Sequence, residues 1–343
     1  MDMSRWAVVS YKDDTGLGRE AMVLRKILGL GYHLVSPSKQ IEGLPLHGPN
    51  EILLERDCPE DTLRAMLDKL EGIIFFESNY WHPQLLSMAK ELGLKLVCAP
   101  NWEWFDGKDA QWRFCDLFVC YSRFTQKIVT SYGWHKTAFI PAPLKLNDFP
   151  KRHISGPARL FIHNAGLVNE DDRKGTRDTI IAFKRVKRKD ISLIVRMQKE
   201  VELPELDERI KIIVGNLKEP YDLYASGDVA IQPSKMEGVG FMVLEPLCAG
   251  MPVITLDYPP MNEYVKSPEL LVRKQWFKRK ALPSHWIKHA HLRLPDLGDL
   301  SRKIAWCAEN DLVSIAASNR KFAEETFAAD IQKKKWMDAL SQL

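Results

Sequence analysis

The chain has 343 residues, more than a single core of ordinary size holds, so two domains of roughly 150 residues each are expected. Its 49 Lys plus Arg against 45 Asp plus Glu give a formal net charge of +4, and its 45% hydrophobic content is that of an ordinary globular protein. Trp6-Ala7-Val8-Val9-Ser10 follows the N-terminus at once, with no apolar run long enough for a signal peptide or membrane span, so a soluble, cytoplasmic protein without a membrane span is expected.

Residues 6–10 read as a first strand, Asp14-Thr15-Gly16-Leu17-Gly18 as a glycine turn and 19–30 as a helix. Strands are expected at 73–76, 96–98 and 117–120, with a helix over 83–93 between the first two, and Ala138-Phe139-Ile140-Pro141 closes this half. The segment 142–158, with Pro143, Pro150 and Pro157, is the best interdomain linker. Alternation resumes with a strand at 159–163, a helix at 178–188, strands at 192–195 and 210–214, and a helix at 217–225. Residues 266–297 mix basic and aromatic side chains without a legible period, and terminal helices are expected over 301–310 and 318–340. Strand and helix alternate throughout, which predicts an α/β protein with parallel sheets. The six cysteines show no paired spacing of a zinc site and read as reduced core thiols; no metal ligand cluster is expected.

The most informative segment is Pro233-Ser234-Lys235-Met236-Glu237-Gly238-Val239-Gly240-Phe241 and the helix that follows to Ala249. A strand at 228–232 enters it, and Gly250-Met251-Pro252 stops the helix before the strand Val253-Ile254-Thr255. A strand, a glycine turn and a helix start make an anion site, with the N–H groups of Gly238, Val239, Gly240 and Phe241 directed at a phosphate. Glu237 and Glu245 stand eight positions apart around this turn; alone, such a pair reads equally as a cap and a surface residue. The positive charge lies in this half: residues 1–150 hold 17 Lys plus Arg against 19 Asp plus Glu, the remainder 32 against 26.

This turn resembles the signature of the retaining glycosyltransferases of family four, Pro-Ser-x-x-Glu-Gly-x-Gly with a second Glu eight residues on. The resemblance implies the GT-B architecture, two Rossmann-like domains facing across a cleft. It divides the chain into an acceptor-side domain at 1–150, a nucleotide-sugar donor domain at 151–320, and a terminal helix at 321–343 that can cross back to the first domain. It also implies that Glu237 meets hydroxyls of the donor sugar, Glu245 the ribose, and the backbone between them the pyrophosphate. Relatives place an Arg after the first donor-domain strand and a Lys before a Gly, to neutralise the diphosphate. Lys174-Gly175 matches. In His163-Asn164-Ala165-Gly166 the usual Gly-Arg is replaced by Ala165-Gly166, so Arg173 or Arg177 would supply that charge, with Asn164 and Gly166 still near the donor. Asn216 and Leu217 stand where relatives hold the nucleotide base through backbone groups.

Gly16 and Gly18 permit close backbone approach to a donor or acceptor, or equally a tight structural turn. The position where relatives carry a His reads Pro100-Asn101-Trp102 here; Asn101 could bond a hydroxyl, and His82 and His163 are possible substitutes. Nine aromatics between Phe75 and Phe114 suit sugar rings or a core, and Trp102 and Trp104 are favoured as an acceptor wall. Between Arg273 and Arg293, seven cations interleave with Trp276, Phe277, His285 and Trp286, a mixture that fits a nucleic-acid backbone or an ordinary basic surface. The resulting expectation is a metal-independent enzyme, with no permanently bound cofactor, that moves a sugar from a nucleotide-diphosphate donor to a saccharide hydroxyl with retention. Glu237, Lys174 and Arg173 are its expected catalytic residues. Alternatives are transfer to a hydroxymethylated DNA base, as by some phage enzymes, and a catalytically silent nucleotide-sugar binding protein.

Overall fold

The computed structural model describes residues 2–37, 43–168, 171–215, 217, 220–281 and 290–343. The chain divides into two compact units, Met1–Lys145 with Phe327–Leu343, and Leu146–Thr326.

The first unit is built on seven strands, β1 Trp6–Ser10, β2 Tyr32–Val35, β3 Glu51–Leu53, β4 Gly72–Glu77, β5 Lys95–Pro100, β6 Leu117–Cys120 and β7 Thr137–Phe139. They pair in parallel in the order β3-β2-β1-β4-β5-β6-β7. Helices α1 Gly16–Leu28, α2 Glu60–Leu67, α3 Leu85–Glu91 and α4 Arg123–Ser131 lie between strands, which is how a parallel sheet is connected. Strands buried on both faces read as unbroken apolar runs, and Ile73-Ile74-Phe75-Phe76 in β4 is fully buried for that reason. Most of the aromatic cluster is core: Phe75, Phe76, Trp81, Phe105 and Trp112 are at most 1% exposed, and Phe105 stacks on Trp112 at 5.0 Å.

The second unit holds β8 Leu160–Gly166, β9 Ser192–Met197, β10 Ile210–Val214, β11 Val229–Gln232, β12 Val253–Leu256 and β13 Leu271–Val272, parallel in the order β10-β9-β8-β11-β12-β13. The strand order reverses between β8 and β11, so the crevice beyond their carboxyl ends is where a doubly wound sheet holds a ligand. Its helices are α5 Thr176–Arg185, α6 Phe241–Cys248, α7 Leu297–Glu309 and α8 Val313–Phe327. The illegible basic segment contains an antiparallel hairpin, β14 Lys274–Ala281 with β15 His291–Pro295.

Two expected helices differ. The one over 217–225 is a single 3-10 turn, Pro220–Tyr224, opened by a proline and soon followed by Gly227 at φ +94°. The long helix over 318–340 is two, because Ala328 is extended (φ −57°, ψ 137°) between α8 and α9 Ala329–Leu340. The break sends α9 onto α1 of the first unit, where Trp336 and Leu340 are fully buried. Among the described residues no helix is long and apolar enough to cross a membrane.

Candidate functional site

The site is assembled at the carboxyl end of the second sheet by two loops that sequence keeps far apart. After β11 the chain turns through Pro233–Gly240, and Gly240, at φ +87°, starts α6 without a side-chain cap. The amides of Phe241 and Met242 thus receive no side-chain cap from Gly240 and stand at the positive end of the helix dipole. β8 ends at Gly166 (φ +60°), and the chain beyond it leads to Arg173-Lys174-Gly175. Gly175 starts α5 at φ +73°, and a Cβ there would lie 2.9 Å from the Pro233 carbonyl oxygen. A glycine is thus required on both conformational and steric grounds, and its bareness lets the loop and the turn touch.

That contact brings the cations onto the carboxylate. Lys174 Nζ donates to Glu237 Oε1 at 2.6 Å, while one Arg173 guanidinium nitrogen donates to Glu237 Oε2 and to the Met236 carbonyl, each at 3.1 Å. The Glu237 side chain is 6% exposed, Lys174 15% and Arg173 32%. Burial by itself would raise the Glu237 carboxyl, but the Lys174 and Arg173 charges outweigh it and hold it at about 2. Burial, reinforced by neighbouring Arg173, lowers the Lys174 ammonium from its ordinary range.

Glu245, in α6, is buried rather than on an open helix face, and accepts a 2.6 Å hydrogen bond from the Tyr224 hydroxyl. No motif singles out Tyr224, and a tyrosine gives no sign that its hydroxyl will meet a carboxylate twenty-one residues on. Asn164 lies two residues before the end of β8 and Gln232 ends the neighbouring β11, and both amide side chains are buried with neither polar atom hydrogen-bonded. Gln232 was not singled out by any motif. Two such amides at the point where strand order reverses are polar groups suited to a ligand.

The other candidates separate. Arg177 donates from Nε to the Glu202 carbonyl, so Arg173 is the arginine at Glu237. His163 is fully buried, its Nδ1 2.6 Å from the Ile231 carbonyl and its Nε2 3.0 Å from Thr176 Oγ1, and His82 bonds Cys58 and Gln84; both rings are structural ties. Gly238 and Val239 are buried within the turn and Phe241 begins α6. Leu217 is half-buried, and Asn216 lies outside the described residues.

Gly16, Gly18, Asn101, Trp102 and Trp104 belong to the first unit. A Cβ on Gly18 would sit 2.5 Å from the Asp13 carbonyl oxygen, so this glycine serves close packing at the start of α1. Asn101 Nδ2 donates to Glu77 Oε1 at 3.3 Å. Trp102 is 4% exposed and packs edge-on against Phe124, whereas Trp104 is half-buried. Near them Glu20, in α1, is buried; burial pushes its carboxyl up to about 8, opposed in part by the Tyr121 hydroxyl and helped by the Glu77 carboxylate. In the basic hairpin Trp276 is 85% exposed, Lys274 and Arg293 lie over the Tyr258 ring, and His285, Trp286 and Lys288 lie outside the described residues.

Residues 159–280 match the family model of glycosyl transferases group 1. A sequence search of curated proteins found no match. Among solved structures, the chain is similar to Anabaena HepE in complex with UDP and glucose, at 14% identity and TM-score 0.72, covering 99% of this chain and 100% of that one. Sucrose-phosphate synthase from Thermosynechococcus elongatus (14% identity, TM-score 0.63) and the lipopolysaccharide outer core galactosyltransferase WaaB (13%, 0.64) are also similar. The first covers 98% of both chains, the second 98% of this chain and 99% of its own. The chain is similar to the group 1 glycosyl transferases, and its fold is that of the GT-B proteins.

Proposed function

We propose that the protein is a retaining glycosyltransferase that takes a sugar from a nucleotide-diphosphate donor and passes it to a saccharide hydroxyl. The observation that carries this reading is the Arg173–Lys174–Glu237 cluster beside the uncapped start of α6. A departing diphosphate needs positive charge fixed in advance at its oxygens, in a site with little water. Lys174, Arg173 and the first α6 amides supply it. Glu237, ionised at every working pH, accepts hydrogen bonds from the sugar's hydroxyls, and Glu245 does so from the ribose diol. Asn164 and Gln232 offer further donors and acceptors near the strand ends. HepE, in complex with UDP and glucose, supports a nucleotide-sugar donor by analogy of fold.

Thermal-shift measurement with UDP, UDP-glucose and other nucleotide sugars, followed by donor hydrolysis without acceptor, tests the reading. Stabilisation by at least one nucleotide sugar and slow release of its sugar are expected. No shift and no hydrolysis across the panel would overturn it. Trp276, 85% exposed in a run of cations, favours a second reading in which the acceptor is a modified base in DNA.

A further inference from the structure

Lys235 stands two residues before Glu237 and is only 6% exposed. A lysine is rarely buried unless it is paired. Here Nζ donates to Asp172 Oδ2 at 3.1 Å and makes an ion pair with Asp178 Oδ2 at 2.9 Å, the latter without hydrogen-bond geometry. The Lys235 backbone N–H donates to the Arg173 carbonyl at 2.8 Å, and its own carbonyl accepts from the Arg293 N–H in β15 at 2.9 Å. Main chain and side chain alike tie this residue to the loop that carries Arg173 and Lys174.

Asp172 is the residue through which that loop is set. It directly precedes Arg173, and its φ of +47° is a conformation that a residue with a side chain keeps only when its surroundings enforce it. Its carboxylate accepts from the Thr176 N–H at 2.8 Å and the Arg177 N–H at 3.2 Å, at the start of α5, as well as from Lys235. Without the ammonium, two largely buried carboxylates would share this space with no cation between them, a costly arrangement that the loop would relieve by moving. Movement of Asp172 moves Arg173 and Lys174 with it.

We propose that Lys235 is a positioning residue for the donor site, its ammonium drawing Asp172 and Asp178 together so that Arg173 and Lys174 are held at Glu237 and thus at the departing diphosphate. This inference rests on the donor reading above. A shift of about 1 Å in such a group is enough to cost around a hundredfold in rate.

The test is a double-mutant cycle on hydrolysis of whichever nucleotide sugar the wild-type protein turns over, with UDP-glucose as the first probe. Lys235→Met is expected to lower kcat at least about tenfold with the donor KM changed less than about threefold, and Lys235→Arg to restore kcat to within about threefold. Because Lys235 acts through Arg173 and Lys174 together, K235M is expected to slow the K174A variant by a smaller factor than it slows the wild type. A folded K235M with wild-type kcat, or losses that multiply in the double variant, overturns the inference. Should K235M not fold, Lys235→Gln, which keeps a polar side chain there but no cation between the two carboxylates, must show the same loss of kcat. A K174A variant with the wild-type rate would instead sink the donor reading itself.

Discussion

Lys174 Nζ lies 2.6 Å from Glu237 Oε1, a contact spanning sixty-three residues of sequence and joining the loop after β8 to the turn after β11. The pair is nearly enclosed, so each member depends on the other for its charge. Replacing Glu237 by Gln keeps the shape but leaves two cations short of their counter-ion. We expect E237Q to lose turnover by about a hundredfold or more and to melt lower than wild type. Glu245→Ala, which removes the carboxylate that accepts from the Tyr224 hydroxyl, is expected chiefly to weaken donor binding. Kinetics and isothermal titration on both folded variants check the division of roles; wild-type kcat in E237Q would refute it.

Lys174→Ala is expected to slow sugar transfer by roughly ten- to a thousandfold through loss of charge at the leaving oxygens. Gly175→Ala acts on the same group indirectly, since its φ of +73° and the nearby Pro233 carbonyl leave no room for a methyl group. It should therefore lower both the melting temperature and the rate. Single-turnover measurements decide: an unchanged rate in K174A removes that residue from the mechanism.

Glu20 gives a pH prediction with a definite sign. Its carboxyl sits at about 8 in the folded protein against an ordinary 4.5. A raised folded value contributes stability that is full below pH 4.5 and is lost as pH climbs through 8. Glu20→Gln has no such loss, so its melting temperature relative to wild type should rise from pH 5 to pH 8 and then level off. Parallel melting curves in pH 5–9 buffers would show it; a flat difference would mean that Glu20 is ionised in the fold.

Charge also separates the two acceptors. A DNA acceptor neutralised by the cations between Arg273 and Arg293 must release counter-ions, so binding falls steeply with salt, while a neutral saccharide gives no slope. We expect only weak duplex binding at physiological salt, and donor hydrolysis unaffected by replacing Lys278, Arg279 and Lys280 with Ala. Tight, salt-sensitive duplex binding lost in the triple variant, with transfer onto hydroxymethylated DNA, would establish the second reading.

The parallel α/β class and the Glu237 turn were legible because each rests on local signals: apolar strand runs, glycines, and a helix stop at Gly250-Met251-Pro252. That Lys174 and Glu237 serve one site was implied by resemblance alone, and their ion pair was not foreseen, since no local rule connects two loops sixty-three residues apart. Gln232 and Lys235 were missed for the same reason, since their surroundings arise only when β8 and β11 lie side by side, and Tyr224 because its contact with Glu245 needs α6 folded back against the 3-10 turn. Ala328 shows the converse failure. Alanine is the best helix former, and nothing in its chemistry announces the bend that separates α8 from α9.

That bend has a consequence for how the protein is made. The first unit takes in Met1–Lys145 and is completed by Phe327–Leu343, so the face of α1 that α9 covers stays open until α9 has been translated. The intervening unit, Leu146–Thr326, is contiguous and can close while synthesis continues. The first unit thus matures after the intervening one although most of it is made earlier, and a stop codon before Trp336 would leave the intervening unit able to fold beside a first unit that never seals.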